Sequence, residues 1–398
     1  MESFYKTHKY LVEHVSSPVR RHLMDEIDWN ARLIGIKGCR GVGKTTFLLQ
    51  YAREKFGTDR SCLYINTNNL YFTEHSLRKF AKEFLSQGGK TLLIDQVFKY
   101  PGWSDELRYC YDNFPELKIV FTGSSVMRLK EENSALSGLV DSYNLRGFSF
   151  REYINLLAGT DLSSVTLDDI ITRHKEIAHE IYAAVNPQEY LQGYLHHGFY
   201  PFFLEKRNFS ENLLKTMNMM MEIDILFLKQ IELSYLPKVR RLLYLLTVSA
   251  PAAPNVSQLS KDIETSRATV MNYIKCLKDA RLINMLYKEG EEYPKKPVMV
   301  YMHNTNLMYS TRSVQVEPQA VRETFFYNML HKDNHLNIGG KGFQFLVNGE
   351  MPFRVGTVPR RANPNLYYAA DELKTGHDNV IPLWFCLLYT SPSPRDRG

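Results

Sequence analysis

Residues 37–50 read KGCRGVGKTTFLLQ, and this segment predicts the fold of the first part of the chain. Within it, Gly38 to Thr45 match the pattern G-x-x-x-x-G-K-[ST] at every position. The apolar run 32–36 precedes the glycines, and apolar residues at helical spacing follow Lys44. Strand, glycine loop and helix therefore follow one another in the order that a phosphate-binding loop (P-loop) requires.

The residue types of this loop indicate how a phosphate would be bound. We expect Gly38, Gly41 and Gly43 to adopt positive φ angles, so that successive backbone N–H groups face the anion. The Lys44 ammonium would reach the β and γ phosphates, and the Thr45 hydroxyl would be a ligand of Mg²⁺. The predicted cofactors are ATP and Mg²⁺, with nucleotide contacts from Gly38, Cys39, Arg40, Gly41, Val42, Gly43, Lys44, Thr45 and Thr46.

Two further apolar runs predict strands of the same parallel sheet. Residues 90–95 end in Asp95, which would support the Mg²⁺ shell through water. Without other evidence, Asp95 would be interpreted as a turn residue at the end of a strand. The P-loop earlier in the sequence favours the metal-binding role. Residues 118–125 end in hydroxyls, of which Ser124 or Thr122 would sense the γ-phosphate. The turn and amphipathic helix between the two runs complete an α/β sheet covered by helices.

Composition places limits on the class of protein. The 398 residues exceed one ordinary core and predict about two to four domains. The net charge of +6 permits an anionic partner such as nucleic acid without requiring one. No apolar run reaches the length of a membrane span, the N-terminus lacks the apolar core of a signal peptide, and the five cysteines are scattered. We therefore expect a cytoplasmic protein with reduced thiols and no membrane partner.

The middle of the chain predicts helices and then a helix-turn-helix. Residues 158–247 have apolar residues at helical spacing and predict a helical lid, with Met217–Met221 as core packing. After a proline-rich break, Ser257 is the expected N-cap of one helix and Ser266 of the next. The second helix would point Val270, Tyr273, Ile274 and Leu277 inward.

A β-hairpin is expected after these helices, which predicts a winged helix over residues 248–310. In such a fold, Arg267, Thr269 and Asn272 would lie nearest the base edges of DNA. Phosphate contacts would come from Lys275, Lys278, Lys295 and Lys296. The alternative is a winged helix that serves only as a lid or a protein contact, and the sequence leaves both interpretations open.

Four motifs in fixed order carry a resemblance to a known family. They are TGSS at 122–125, SFREY at 149–153, GFYPFF at 198–203 and RETFF at 322–326. The chain resembles, over residues 18–385, a bacterial family of AAA-like P-loop ATPases with a C-terminal domain that has a restriction-nuclease-like core. The resemblance implies a P-loop domain at 1–157 and a nuclease-like α/β domain at 311–385. Residues 386–398 look like a translated sequencing adapter, and we expect them to be an artefact tail.

The sequence departs from this family in its catalytic positions. The family has Glu after the acidic strand residue, where this chain has Gln96, so we expect ATP hydrolysis to be impaired. Leu139 stands where the family tends to have an arginine. Arg128, Arg146 and Arg151 remain as candidates to meet phosphate charge, or else are structural ion pairs.

The nuclease-like part departs as well. Gln344 and Arg354 stand in place of the two carboxylates, and Val358 lies near the place of the lysine. Asp371 and Glu372 are expected to be acidic residues without partners. We therefore expect a degenerate nuclease-like domain with a binding or structural role and no nuclease activity.

These observations predict an ATP-binding P-loop ATPase in which Lys44, Asp95, Gln96 and Ser124 are the catalytic candidates and Thr45 and Asp95 hold the metal. Its nucleotide state would be coupled to the winged helix and the nuclease-like module. The alternative is a nucleotide-gated DNA-binding or scaffold protein without significant turnover, which Gln96 favours. A P-loop kinase is disfavoured, because no acceptor pocket accompanies the loop. DNA, a protein partner and a second copy of the chain are the candidate partners.

Overall fold

The computed structural model describes residues 1–127, 135–205, 208–311, 316–331 and 333–385. Its chain separates into a compact unit that ends at Arg146 and a second that begins at Gly147. The expected artefact tail, 386–398, and Arg128 lie outside the described residues. The finer division into a P-loop domain, a lid, a winged helix and a nuclease-like domain stays a prediction.

The N-terminal unit is built on a parallel sheet. Its strands are β1 (Leu33–Gly38), β2 (Cys62–Asn66), β3 (Thr91–Asp95), β4 (Lys118–Ser124) and β5 (Asp141–Asn144), in the order β2-β3-β4-β1-β5. Every pairing is parallel. The expected strands β1, β3 and β4 are confirmed, and their buried faces explain their apolar sequences.

Helices cover this sheet and complete its core. They are α1 (Glu2–His14), α2 (Leu23–Glu26), α3 (Lys44–Lys55), α4 (Tyr71–Glu74), α5 (Leu77–Ser86) and α6 (Trp103–Asn113). The helix predicted after Lys44 is α3, and the helix predicted between the second and third apolar runs is α6. The core on one face joins Phe80 and Phe84 of α5 to Leu63 of β2 and Phe121 of β4. Among the described residues, Cys39, Cys62, Cys110 and Cys276 are buried and form no disulfide.

The second unit begins with helices, as the spacing predicted. They are α7 (Phe150–Ala158), α8 (Leu167–Thr172), α9 (His174–Ala184), α10 (Gln188–Gly193), α11 (Phe209–Met219) and α12 (Leu236–Ser249), with π-helical turns at Tyr194–Gly198 and Met220–Phe227. Met217, Met220 and Met221 are buried, as predicted, whereas Met219 of the same run is 41% exposed and does not pack in the core. A role for these helices as a lid stays a prediction.

Two short helices and an antiparallel strand pair follow. They are α13 (Val256–Asp262), α14 (Arg267–Asp279), β6 (Ile283–Leu286) and β7 (Met299–Met302). Ser266 caps α14 by accepting from the Thr269 N–H, as predicted. The prediction of Ser257 as the cap of α13 is wrong: Asn255 accepts from the Gln258 N–H at 3.1 Å, and Ser257 already lies in the first turn.

The chain continues through α15 (Thr305–Thr311) and α16 (Pro318–Leu330) into a mixed sheet. Its strands are β8 (Leu336–Ile338), β9 (Phe345–Val347), β10 (Met351–Val355), β11 (Tyr367–Ala370) and β12 (Val380–Pro382), in the order β12-β11-β10-β9-β8. β10, β11 and β12 pair in parallel, and β8, β9 and β10 pair antiparallel. An α/β arrangement is thus present, and its nuclease-like identity stays a prediction.

Candidate nucleotide site

The loop between β1 and α3 has the backbone of a phosphate cradle. Gly41 and Gly43 have φ angles of 83° and 89°, a region that other residues seldom adopt. Gly38 was expected to share this conformation, and that expectation is wrong. It is glycine because a Cβ there would lie 2.3 Å from the carbonyl oxygen of Leu145. The loop therefore uses two glycines for conformation and one for close approach.

The polar side chains of the loop lie where the sequence placed them. The Lys44 Nζ donates to the carbonyl oxygens of Gly38 and Cys39 at 2.7 and 2.8 Å, so the ammonium lies over its own loop. Thr45 is exposed as a residue, and its hydroxyl donates to Asp95 Oδ2 at 2.7 Å. The two predicted metal-site residues are thus brought together from the start of α3 and the end of β3.

Asp95 is buried, with 1% of its surface exposed, and other groups also donate to it. The Tyr64 hydroxyl donates to Oδ2 at 2.9 Å. The Thr122 hydroxyl and the Gln96 N–H donate to Oδ1. Burial, followed by the charge of Asp95, raises the pKa of Tyr64 above its usual range. Tyr64 was missed from the sequence, because its strand β2 was not predicted.

Gln96 leaves the strand in a left-handed conformation, with φ at 54°. Its N–H also donates to Thr122 Oγ1 at 3.0 Å, and its carbonyl oxygen accepts from Thr67 Oγ1 at 2.7 Å. Thr122 therefore holds Asp95 and the turn after it. Ser124 is buried and lies opposite Gly38 in the β1–β4 register, so it adjoins the start of the loop.

A second group that the sequence analysis missed supports the loop from the N-terminal side. Arg21 is 8% exposed and donates to the carbonyl oxygens of Val42 and Arg146 at 3.1 and 2.7 Å. Nothing in the local sequence before β1 signals this role, since it depends on tertiary packing. Among the arginines that the sequence offered as candidates to meet phosphate charge, Arg151 is buried in the second unit and donates to the carbonyl oxygen of Leu162 at 3.2 Å.

The face of α14 that was expected to meet DNA is only partly available. Arg267 and Asn272 are exposed, as predicted. Lys275 was expected to contact phosphate, and that role stays a prediction. Its side chain is 16% exposed and its Nζ pairs with Asp279 at 2.6 Å, so the charge is already matched. Lys295 pairs with Glu291, and the Lys295 side chain is 63% exposed.

The C-terminal positions show what replaces the family's carboxylates. Gln344 Oε1 accepts from the Val355 N–H at 2.9 Å, and its Nε2 donates to Glu323 at 3.3 Å. Glu323, which belongs to the RETFF motif, is 9% exposed. The expectation that Asp371 lacks a partner is wrong, because it forms an ion pair with Arg322. Among the described residues, no group of three or more His, Cys, Asp or Glu side chains could hold a metal ion.

Comparison with known proteins gives one family. Residues 30–154 match the model of a family described as an AAA domain. This part of the chain is therefore similar to an AAA-type P-loop domain. The match ends within α7, so the rest of the second unit lies outside it.

Single proteins resemble this chain more weakly. An uncharacterized protein of Methanocaldococcus jannaschii is 28% identical over 273 residues, which cover 65% of this chain and 57% of that protein. The chain thus spans little more than half the length of that relative.

Solved structures similar to the chain include AMPPCP-bound DnaA from Aquifex aeolicus (TM-score 0.25, 15% identity, 69% of this chain and 87% of that one). Another is the Aeropyrum pernix ORC1 protein in complex with DNA (TM-score 0.29, 11% identity, 77% and 91%). A third is C. elegans PCH-2 (TM-score 0.23, 18% identity, 39% and 43%). At these TM-scores and identities, the likenesses imply nothing further about this chain. Over the part of the chain that the structure describes, no helix has the length and apolarity of a membrane span.

Proposed function

We propose that the AAA domain binds ATP together with Mg²⁺. The observation that carries this proposal is the 2.7 Å hydrogen bond from Thr45 to Asp95, beside a loop with left-handed Gly41 and Gly43. A hydroxyl and a carboxylate from different elements meet at the N-terminus of α3, where backbone N–H groups and the helix dipole favour an anion.

The residues present fit both groups. A Cβ at Gly38 would lie 2.3 Å from the Leu145 carbonyl oxygen and 3.2 Å from Val42 Cγ2, so only glycine allows the loop to pass this close to its neighbours. Lys44 would exchange its two carbonyl partners for phosphate oxygens, which accept from an ammonium more strongly. Thr45 would ligate the metal directly, and Asp95 would bind its water shell. When bound, the metal supplies positive charge that neutralises the phosphates.

Hydrolysis is the part of the proposal that Gln96 weakens. A carboxylate at this position can accept a proton from an attacking water, and an amide cannot. We therefore propose an ATPase with slow turnover, in which Ser124 adjoins the γ-phosphate. With its buried free thiols, such a protein would act in a reducing compartment such as the cytoplasm.

A second candidate function is nucleotide-gated DNA binding or scaffolding without significant turnover. It is favoured by Gln96 and by the exposed Arg267 and Asn272 on α14, which follows α13 and precedes an antiparallel strand pair. In this proposal residues 248–310 are a winged helix, residues 158–247 a helical lid, and residues 311–385 a degenerate nuclease-like domain. A protein partner or a second copy of the chain would then receive the nucleotide signal.

Two measurements test the proposal. The first is ATP binding and phosphate release by the wild type, Lys44→Ala and Gln96→Glu, each with Mg²⁺. We expect Lys44→Ala to lose binding and Gln96→Glu to release phosphate faster than the wild type. Binding without any release by the wild type leaves the second candidate, and the absence of binding refutes both.

The second measurement is binding of a labelled DNA duplex with and without ATP. Arg267→Glu should weaken it, whereas Lys275→Glu is uninformative because Lys275 already pairs with Asp279. Lys215→Glu, on an exposed face of α11, is the control for a general change in net charge. Equal DNA binding by the wild type, Arg267→Glu and Lys215→Glu would show that α14 does not contact DNA.

A further inference from the structure

Tyr64 belongs to β2, the edge strand next to the one that carries Asp95. Its side chain is buried, and its hydroxyl donates to Asp95 Oδ2 at 2.9 Å. The same oxygen accepts from Thr45 Oγ1 at 2.7 Å. Oδ2 is therefore the oxygen that faces Thr45, the predicted metal ligand on α3. Tyr64, on β2, contacts the same oxygen.

The other oxygen of Asp95 is fixed independently. Oδ1 accepts from the Thr122 hydroxyl, on β4, and from the Gln96 N–H, in the turn after β3. A carboxylate offers about four lone-pair sites, and these donors together with Tyr64 and Thr45 match that capacity. The plane of the carboxylate is thus set by β2, β4 and the turn, all within the N-terminal unit.

The two donors to Oδ2, Tyr64 and Thr45, would behave differently when Thr45 ligates the metal. Its hydroxyl oxygen must then turn to the cation, so its proton no longer points at Oδ2. Tyr64 would remain as the protein donor on that oxygen. Because Asp95 is 1% exposed, bulk water has little access to replace a lost donor.

We propose that Tyr64 is a positioning residue for the metal site: its phenol holds Asp95 Oδ2 in the orientation from which it supports the Mg²⁺ shell. This inference rests on the proposed function.

The test separates binding with metal from binding without it. The affinity for ATP is measured in excess Mg²⁺ and in EDTA, for the wild type and for Tyr64→Phe, which removes the hydroxyl and keeps the ring. The matched control is Tyr5→Phe, another buried tyrosine of this unit, whose hydroxyl donates to the Arg60 carbonyl at 3.1 Å. We expect Tyr64→Phe to bind ATP about tenfold more weakly than the wild type in Mg²⁺ and about as well as the wild type in EDTA. The lost hydrogen bond orients a carboxylate that contributes to ATP binding only when the metal is present.

A second pair of variants guards against a change in folding. Tyr64→His retains a ring N–H and should lie between the wild type and Tyr64→Phe in Mg²⁺. In an Asp95→Asn background, Tyr64→Phe should cause no additional loss, because the two residues act through one contact.

The possible results are distinct. Unchanged affinity of Tyr64→Phe in Mg²⁺, or an equal loss in Mg²⁺ and EDTA, would overturn the positioning role and leave the proposed function standing. A full additional loss in the Asp95→Asn background would also overturn it. If the wild type binds ATP in neither condition, the proposed function fails and this inference fails with it.

Discussion

His8 should make the N-terminal unit sensitive to acid. It lies on α1 with 2% of its surface exposed, and its Nδ1 accepts from the backbone N–H of Tyr64 at 3.0 Å. Because β2 is an edge strand, this N–H has no neighbouring strand on its outer side, and the imidazole takes that place. Protonation would remove the acceptor and place a charge in the core.

The sign and size of the effect follow from the pKa. Burial lowers the pKa of His8 to about 4, from 6.5. The unfolded chain therefore takes up the proton first, and stability that is fully present above pH 6.5 is lost as the pH falls toward 4. The loss amounts to about 2 kcal/mol at pH 5 and at most about 3 kcal/mol below pH 4.

The assay compares the wild type with His8→Gln, whose amide oxygen can accept the same hydrogen bond without titrating. Urea unfolding is followed by hydrogen exchange of peptides from α1 and β2 at pH 7.5 and pH 5, so that the N-terminal unit is read separately. The matched control is His14→Gln, an exposed histidine on the same helix. We expect the wild type to lose about 2 kcal/mol relative to His8→Gln between the two pH values. A difference that stays constant with pH would refute the reasoning.

Three other substitutions test separate features of the fold. Gly38→Ala should abolish ATP binding and destabilise the unit by about 1–3 kcal/mol, because its Cβ meets the Leu145 carbonyl, as measured by calorimetric titration and thermal melting. Arg21→Ala should weaken ATP binding by about tenfold, because it removes the donor to Val42 and loosens the loop, and titration measures this. Asn306→Ala should destabilise the second unit by about 3 kcal/mol, measured by urea unfolding, because it removes three hydrogen bonds between its buried amide and the backbone at the π-helical turn.

Each of these substitutions has a control in the same part of the chain. A Cβ at Gly57 would have no atom within 4 Å, so Gly57→Ala measures only the energetic cost of a left-handed backbone. Arg20→Ala removes a neighbouring arginine that is 45% exposed. Asn365→Ala removes an exposed amide. Effects of the controls as large as those of the test variants would contradict the three assignments.

The local part of the site could be predicted from the sequence because its chemistry lies in consecutive residues. The loop, the helix after it and Asp95 at the end of a strand follow from spacing and residue type. β2 and β5 were not predicted, and only β5 lacked a signal, because β2 reads CLYIN, an apolar run like those of the other strands. β5 reads DSYN, which has no apolar run, and it becomes a strand by pairing with β1.

The residues that support the site come from distant sequence and so escaped prediction. Tyr64 meets Asp95, and Arg21 meets Val42, only when strands and loops have packed together. The ion pairs of Asp371 and Lys275 differ in how visible they were in the sequence. Asp371 pairs with Arg322, which is far away in sequence, but Lys275 and Asp279 are four residues apart on one helix, so that pair was visible in the spacing.

The hydrogen bonds around Gln96 make its replacement an informative test of turnover. Its left-handed backbone is held by its own N–H and carbonyl groups, through Thr122 and Thr67, and not by the amide side chain. Gln96→Glu therefore changes the chemistry of the side chain while these backbone contacts remain. If hydrolysis is slow only because an amide cannot accept a proton, this variant should release phosphate faster at an unchanged affinity for ATP. A change in affinity without a change in rate would place the limitation elsewhere in the site.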